Sequence, residues 1–289
     1  VYWRARATMA LAAEGPDGDA ARQQARQQLA SLSQRLDFYA LLATEDLGRT
    51  PALPPEPPAL TDTDRAAVRA VPGLQRGLQL VALGLRSAGV REGNFTLRDV
   101  AGDRALRAAA EWACEREVWD RCINTSDRTR AEFDMAQRFP TPFRDDVLAQ
   151  TGAIDLDPAY VYGLIRQESR FIMDARSHVG ASGLMQLMPA TARWTARKIG
   201  LPYSSRMITD RDVNLKLGTA YLKLALDDFE GSQALAASAY NAGPSRARRW
   251  RQVEPPMEPA AWAETIPFNE TRDYVKKVLS NATWYAALI

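Results

Sequence analysis

The chain has 289 residues, of which 46% are hydrophobic and 25% charged, and its formal net charge is +2. This length gives room for two or three domains with ordinary cores, and the composition is typical of globular proteins. The near-neutral charge argues against a dedicated nucleic-acid-binding protein. No apolar run approaches the ~18 residues that a membrane span requires. With one histidine (His178) and two cysteines, metal ligands are scarce, so neither a metal nor another cofactor is expected.

Residues 1–49 have the pattern of a helical hairpin. A first helix begins near Tyr2, a turn is expected at 15–19, and one or two further helices are expected over 20–47, ended by Gly48. One hairpin cannot bury both of its faces. It is therefore either the last unit of an α-superhelix or is packed directly on the part of the chain that follows.

The next two segments differ in composition. Five prolines between positions 51 and 58 predict an extended linker over residues 50–61. Residues 62–139 return to helical periodicity, with helices expected over 74–89 and 96–113. The repeated alanines and short connections are typical of small, tightly packed helical hairpins. Further along, Pro255, Pro256 and Pro259 predict a loop.

A helix with an acidic residue on its apolar face is predicted from residue 158. Asp157 is a suitable N-cap, and Pro158 is favoured at the first helical position. Glu168 shares a narrow stripe of this helix with three apolar residues, Val161, Leu164 and Ile165. Such a carboxylate is either a surface group that reaches water or a buried acid kept for chemistry. Burial would raise its pKa toward the range that a general acid needs.

The chain after Glu168 is polar and rich in glycine. A turn is expected at 177–182, Gly183 allows the backbone to approach a ligand closely, and Pro189 starts a new helix. The chain is thereby brought back over the end of the helix that carries Glu168. Gln186 is then expected to point into the same cleft.

Four blocks of sequence resemble the motifs of the soluble lytic transglycosylases, lysozyme-like enzymes that cleave the glycan strands of peptidoglycan. The blocks are IRQESRF (165–171), GASGLMQLMPATA (180–192), AYNAGP (239–244) and IPFNETRDYV (266–275). They occur in order and are suitably spaced, and the resemblance covers about half of the chain. It implies a mainly α fold with four parts: the end of an α-superhelical domain (1–49), a Pro-rich linker (50–61), a small helical linker domain (62–139) and a lysozyme-like transglycosylase domain (140–289).

The resemblance also implies a reaction. The β-1,4 bond between N-acetylmuramic acid and N-acetylglucosamine would be cleaved, leaving a 1,6-anhydromuramic acid end. Glu168 would protonate the glycosidic oxygen and then take the proton of the C6 hydroxyl, which attacks C1 in place of water. Most glycosidases use two carboxylates. No second carboxylate in this region is an obvious partner of Glu168, which fits a mechanism with a single acid.

By motif position, the resemblance assigns the substrate-binding residues as Ser177, Gly183, Met185, Gln186, Met188, Tyr240, Asn241, Glu270 and Tyr274. Ser177 would hydrogen-bond the sugar's acetyl group or Glu168, and the two methionines would form an apolar floor. Glu270 is expected near Glu168, with Tyr274 on the same helical face. Structural interpretations stay open, because methionines three residues apart at a helix start are often core residues, and Tyr240 could be a core aromatic.

The expected partners are peptidoglycan glycan strands, with other cell-wall enzymes as further candidates. The expected location is the periplasm of a Gram-negative bacterium, after export. There, Cys114 and Cys122, on either side of an expected hairpin turn, can form a disulfide, and the alternative is two buried thiols.

Two other functions stay open. One is a hydrolytic muramidase on the same fold, similar to goose-type lysozyme, in which water attacks instead of the C6 hydroxyl. The other is a non-catalytic, glycan-binding scaffold that has kept the groove.

Overall fold

The computed structural model describes residues 1–251 and 257–289, and these residues form seventeen α-helices and one 3-10 helix. The β-structure among them is limited to two isolated bridges that share Ser182. The mainly α fold predicted from the sequence is thus confirmed. In chain order the helices are α1 (Tyr2–Leu11), α2 (Pro16–Leu32), α3 (Phe38–Asp46), α4 (Asp62–Arg69), α5 (Pro72–Ala82), α6 (Arg86–Thr96), α7 (Asp103–Glu115), α8 (Trp119–Ser126), α9 (Met135–Arg138), α10 (Arg144–Gly152), α11 (Pro158–Glu168), α12 (Pro189–Lys198), the 3-10 helix (Ser205–Thr209), α13 (Arg211–Asp228), α14 (Gln233–Ala242), α15 (Pro244–Arg251), α16 (Pro259–Thr265) and α17 (Asn269–Ala286).

The chain divides into two compact units. The terminal unit contains residues 1–53 and 224–289, and the central unit contains residues 54–223. The predicted domain boundaries lie elsewhere along the chain and stay predictions. No helix of the described ranges is both long enough and apolar enough to cross a bilayer.

In the terminal unit, the N-terminal hairpin has its own small core. Tyr2, Ala25, Leu29 and Ala43 are buried together there. The turn predicted at 15–19 is wrong, because α2 already begins at Pro16, whose fixed φ suits a first helical position.

The hairpin is attached to the last two helices of the same unit. The indole nitrogen Nε1 of Trp3 donates to Glu264 Oε1 of α16 at 3.3 Å. The corresponding atom of Trp284, on α17, donates to the Leu36 carbonyl oxygen at 3.0 Å. The hairpin is thus packed on other helices of this unit, and its assignment to an α-superhelix stays a prediction.

The central unit begins with the predicted linker, and residues 51–61 carry no helix or strand. Two predicted helices are wrong in their bounds. The one expected over 74–89 is broken between α5 and α6 at Gly84, which has a φ of 78°. The one expected over 96–113 begins only at Asp103, following Gly102 with a φ of 84°. Gly84 follows the end of α5, and Gly102 is the N-cap of α7; glycine adopts such positive φ angles readily.

Cys114 and Cys122 form a disulfide that joins α7 to α8, and both cysteines of the chain are used in it. The expected hairpin turn between them is present, since α7 ends at Glu115 and α8 begins at Trp119. Of the prolines predicted to form a loop, Pro255 and Pro256 lie outside the described residues. Pro259 is instead the first residue of α16.

Candidate active site

The helix that carries Glu168 starts as the sequence predicts. The Asp157 carboxylate accepts a hydrogen bond from the Ala159 backbone N at 2.9 Å, and Pro158 is the first helical residue. The three apolar residues of the predicted stripe, Val161, Leu164 and Ile165, are fully buried. Glu168 itself is half-buried, because α11 ends at this residue and its side chain lies where the core meets solvent. Glu168 is thus neither fully exposed, as a surface group would be, nor fully buried, as a core acid would be.

A strained turn follows Glu168 immediately. Arg170 and Phe171 have φ angles of 49° and 66°, a region that side chains other than glycine rarely adopt. Each such residue costs on the order of 1–3 kcal/mol. The turn is held by two contacts: the Ser169 hydroxyl oxygen accepts from the Phe171 backbone N at 3.1 Å, and the Phe171 ring is buried 6.0 Å from that of Tyr162. These contacts fix the direction of the chain at the end of α11.

Residues 173–188, named here the Gly-rich loop, are folded by backbone hydrogen bonds. The bridges pair Arg176 with Ser182 and Ser182 with Leu187. The Ser177 backbone N donates to the Ala181 carbonyl at 2.9 Å, and Ser182 and Leu187 exchange two backbone bonds of 3.0 Å. The predicted turn is therefore present, as part of a compact β-like structure.

Two predicted substrate contacts, Ser177 and Gln186, make hydrogen bonds within this loop. The Ser177 hydroxyl oxygen accepts from the Ala181 backbone N at 2.9 Å, so its own proton remains available for a ligand. Gln186, at a φ of 47°, donates through Nε2 to the carbonyls of Ala175 and Gly183 at 3.1 and 2.8 Å. Both side chains are half-buried. Each therefore stabilises the loop and still presents a polar atom that a sugar could use.

Gly183 must lack a side chain, but for a reason other than the one that the sequence suggests. At its φ of 83°, a Cβ would lie 2.2 Å from Asn214 Nδ2 and 2.7 Å from the Ile208 carbonyl oxygen. The close approach expected to serve a ligand is thus occupied by the protein itself. A direct sugar contact is corrected to a packing role.

Asn214 is a residue that sequence reasoning missed. Its side chain is completely buried, with Oδ1 accepting from the Met185 backbone N at 2.7 Å and Nδ2 donating to the carbonyls of Ser182 at 3.0 Å and Ile208 at 2.7 Å. One amide thereby joins α13, the Gly-rich loop and the 3-10 helix. The signal for this role in the sequence was the presence of an asparagine near the start of a helix with strong apolar periodicity.

The two methionines of the predicted apolar floor differ. Met185 is 0% exposed, and a Cβ added at Gly218 of α13 would lie 2.3 Å from its sulfur. It is a core residue, which corrects the predicted sugar contact. Met188 is 42% exposed and precedes the first residue of α12, so it remains available to a ligand.

The other predicted residues lie in the terminal unit. Tyr240 and Asn241 are half-buried near the end of α14, and Gly243 is the C-cap of this helix. Asn241 Oδ1 accepts from the Thr271 hydroxyl at 2.7 Å and so joins α14 to α17. Asn241 thus has a structural bond in addition to any ligand contact.

Glu270 and Tyr274 are one turn apart on α17 but differ in environment. Glu270 is exposed in the first turn, where a carboxylate is favourable to the helix dipole. Tyr274 is buried. The helical face that the two residues share therefore extends from solvent into the core. The predicted sugar contact of Tyr274 is corrected, because this residue packs below the surface. No cluster of metal-ligating side chains occurs in the ranges that the structure describes.

Two segments of the chain match known families. Residues 147–261 match the transglycosylase SLT domain, and residues 265–289 match the soluble lytic transglycosylase helical domain. The chain is 30% identical over 265 residues to the soluble lytic murein transglycosylase of Escherichia coli K12, covering 91% of this chain and 41% of that protein. The Salmonella typhimurium counterpart is 30% identical over 288 residues, covering 98% and 43%. The chain thus spans about two fifths of the length of these curated relatives.

Solved structures agree with these matches. An inactive Glu-to-Gln mutant of the Pseudomonas aeruginosa lytic transglycosylase Slt is similar with a TM-score of 0.84 and 32% identity, covering 99% of this chain and 45% of that one. The 70-kDa soluble lytic transglycosylase of Escherichia coli has a TM-score of 0.83 at 27% identity and the same coverage. A complex of the 70-kDa enzyme with bulgecin A has a TM-score of 0.81, also at 27% identity, again covering 99% and 45%. The fold is that of the helical, lysozyme-like transglycosylases. The chain belongs to the soluble lytic transglycosylase family.

Proposed function

We propose that this chain carries the catalytic domain of a peptidoglycan lytic transglycosylase. It would cleave the β-1,4 bond between N-acetylmuramic acid and N-acetylglucosamine and leave a 1,6-anhydromuramic acid end. The observation that carries the proposal is the position of Glu168, half-buried at the end of α11 and followed in the chain by a strained turn and the folded Gly-rich loop. Relatives described as soluble lytic murein transglycosylases support it.

Glu168 acts first as an acid. The carbonyl end of α11 carries partial negative charge, which favours the neutral carboxyl at this position. The proton passes to the glycosidic oxygen, the C1–O bond breaks, and the acetyl group of the muramic sugar stabilises the positive centre at C1. Glu168, now a carboxylate, takes the proton of the same sugar's C6 hydroxyl as that oxygen bonds to C1. No water is consumed, and Glu168 ends the cycle protonated.

The remaining side chains bind or position the glycan. Ser177 offers its hydroxyl proton to the acetyl group, and Met188 offers an exposed apolar surface beside the loop. The other residues proposed to contact the sugar or to orient Glu168 are Gln186, Tyr240, Asn241 and Glu270. Gly183, Met185 and Tyr274 act through packing, because all three are buried.

An essential glutamate has support from a relative. The Pseudomonas relative is inactive when one glutamate is replaced by glutamine. On this chain, Asp174, the acid nearest to Glu168 in sequence, is exposed in the Gly-rich loop. We therefore assign it no chemical role.

The test is the mass of the products. Purified sacculi are digested with the protein, and the released muropeptides are analysed by mass spectrometry. The proposal expects ends that are lighter by one water than hydrolysed ends. Products with the full mass would instead identify a hydrolytic muramidase, and binding to sacculi without release would identify a glycan-binding scaffold.

The proposed location is the periplasm of a Gram-negative bacterium. The Cys114–Cys122 disulfide supports it, since such bonds persist in oxidising compartments. Bulgecin A is a useful probe, because the 70-kDa relative was solved in complex with it. Bound to this chain, it is expected to raise the thermal midpoint and to slow muropeptide release. If it does neither, this chain does not share the bulgecin site of that relative.

A further inference from the structure

The last turn of α11, which carries Glu168, is attached to earlier helices through the side chain of Arg166. Arg166 Nε donates to the Arg138 carbonyl oxygen at 2.8 Å, and Nη2 donates to both carboxylate oxygens of Asp127 at 3.2 Å. The guanidinium carbon also lies 4.5 Å from the centre of the Phe139 ring, which is buried. A carbonyl, a carboxylate and an aromatic face thus hold one long side chain, which would otherwise have many rotamers.

Asp127 has a position that is unfavourable for its own helix. It is the C-cap of α8, where the helix dipole disfavours a negative charge. Two arginines compensate, because Arg138 Nη1 lies 3.9 Å and Arg166 Nη2 3.2 Å from Asp127 Oδ1. Burial lowers the pKa of Arg138, and the charge of Asp127 acts in the opposite direction, while the charge of Arg166 lowers this pKa further. The Asp127 carboxylate therefore allows two arginines whose charges repel each other to lie close together.

The backbone connects this attachment to Glu168. Arg166 precedes Glu168 by two residues in the same helical turn, and the neighbouring Ile165 carbonyl oxygen accepts hydrogen bonds from the turn that follows. The backbone N atoms of Ser169 and Arg170 donate to it at 3.0 and 3.2 Å. The end of α11 and the left-handed turn are therefore one hydrogen-bonded structure. A displacement of about 1 Å in a catalytic group can cost about a hundredfold in rate, so the attachment of this structure matters for the reaction.

The attachment comes from outside the segment that matches the transglycosylase SLT domain. That match covers residues 147–261, whereas Asp127, Arg138 and Phe139 precede it. They belong with α11 to the central unit. The helix that carries the acid is thus held in part by α8 and α9.

We propose that Asp127 and Arg166 are positioning residues, which fix the direction of Glu168 without touching the glycan. The inference rests on the proposed function for the role of Glu168 as the acid. It makes α8 and α9 determinants of the rate of the chemical step and not of the affinity for the glycan.

The kinetic test begins with Asp127→Asn, which keeps the size of the side chain and removes its charge. Calculated per folded molecule, kcat for muropeptide release should fall by about tenfold to a hundredfold, because the acid is displaced, and KM should stay unchanged. Arg166→Gln should have the same effect. The double variant should be no slower than either single variant, because all three lack the same interaction.

The matched control is a second ion pair between helices of the central unit. Arg65 of α4 donates to Glu111 of α7 through Nε at 2.7 Å and through Nη2 at 3.0 Å. Glu111→Gln should therefore lower stability as Asp127→Asn does, but it should leave kcat per folded molecule unchanged. An unchanged kcat in Asp127→Asn, or an equal loss of kcat in Glu111→Gln, would overturn the proposal. A raised KM in Asp127→Asn would also overturn it, because the residue would then act in glycan binding.

Hydrogen exchange separates this inference from the proposed function, because it needs no activity. In Asp127→Asn the backbone N–H groups of Ser169 and Arg170 should exchange at least about tenfold faster than in the wild type, and in Glu111→Gln at the wild-type rate. If the wild type releases no muropeptides but the exchange rates differ in this way, the proposed function fails and the attachment of the last turn stands. If the wild type is active and Asp127→Asn leaves both exchange rates unchanged, the positioning role fails alone.

Discussion

Glu168 owes its half-buried position to three local features: the capped start of α11, the apolar stripe that buries the helix, and the left-handed turn at residues 170–171. None of these depends on the charge of the carboxyl group. Glu168→Gln should therefore keep the fold while removing the transferable proton.

We expect Glu168→Gln to lower the rate of muropeptide release by at least about 10²–10⁴-fold, the usual contribution of a general acid. Its urea midpoint should stay unchanged or rise. Asp174→Asn is the control, an exposed acid six positions further on, and should keep most of the activity. A Glu168→Gln enzyme that retains more than about a tenth of the wild-type rate would contradict the assignment.

Asn214 shows how a residue without access to substrate can govern a site. Asn214→Ala would leave the Met185 N–H and the carbonyls of Ser182 and Ile208 buried without their partner. We expect a loss of about 3 kcal/mol in unfolding free energy, together with lower activity from a loosened loop. Asn94→Ala, at an exposed asparagine of α6 that accepts one hydrogen bond from Arg121 at 2.9 Å, should cost only about 1 kcal/mol or less.

Chemical denaturation of the two asparagine variants, paired with muropeptide assays, tests this role. If Asn214→Ala is destabilised but fully active under stabilising conditions, the residue supports the fold and does not position the loop.

At the scale of elements, the disulfide joins two helices across a short turn. Cys114 and Cys122 are eight residues apart, and the loop-closure entropy for a ring of this size corresponds to about 2.6 kcal/mol. Reductant should therefore lower the urea midpoint of the wild-type protein but not that of Cys114→Ala/Cys122→Ala. Thiol titration of denatured, unreduced protein should detect no free thiol, and detection of two would show that the bond does not form in solution.

Local signals in the sequence predicted some elements accurately and others poorly. The start of α11 was predictable because Asp157 and Pro158 act on adjacent backbone atoms. The breaks at Gly84 and Gly102 were missed because the apolar periodicity continues through them. A glycine in a periodic segment can be tolerated within a helix or can end it, and tertiary packing decides which.

In the candidate site, too, local signals were predictable and tertiary contacts were not. Ser177, Gln186 and Glu168 could be named from their motifs. The burial of Met185 and the space that Gly183 leaves for Asn214 depend on side chains about 30 residues away in sequence. Sequence periodicity carries no information on such contacts.

At the scale of the whole molecule, the terminal unit contains a polar network between distant parts of the chain. Glu264 accepts hydrogen bonds from the Tyr39 hydroxyl at 2.5 Å and from Trp3 Nε1, and Lys276 Nζ lies 3.3 Å from its second oxygen. Burial alone would raise the pKa of Glu264. The hydrogen bonds and the Lys276 charge outweigh burial, so the net effect is a lowered pKa.

This network predicts acid sensitivity. A carboxyl whose pKa is lowered by folding contributes stability above its unfolded value, 4.5 for a glutamate, and loses it as the pH falls through the folded pKa. The unfolding free energy should therefore decline below about pH 4.5, and Glu264→Gln should flatten that decline. Glu14→Gln, at an exposed glutamate of the same unit, should leave the profile unchanged. If the unfolding free energies of Glu264→Gln and the wild type decline equally at acid pH, this network is not the source of the acid sensitivity.

The order in which the chain is synthesised bears on how the terminal unit forms. Trp3 and Glu264 are 261 positions apart, so their contact cannot exist until nearly all of the intervening chain has been released. The central unit, by contrast, is one continuous segment and can fold as it emerges. Until the last helices emerge, the N-terminal hairpin therefore lacks the hydrogen bonds that Trp3 and Tyr39 make to Glu264. The terminal unit is thus expected to complete its fold after the central unit.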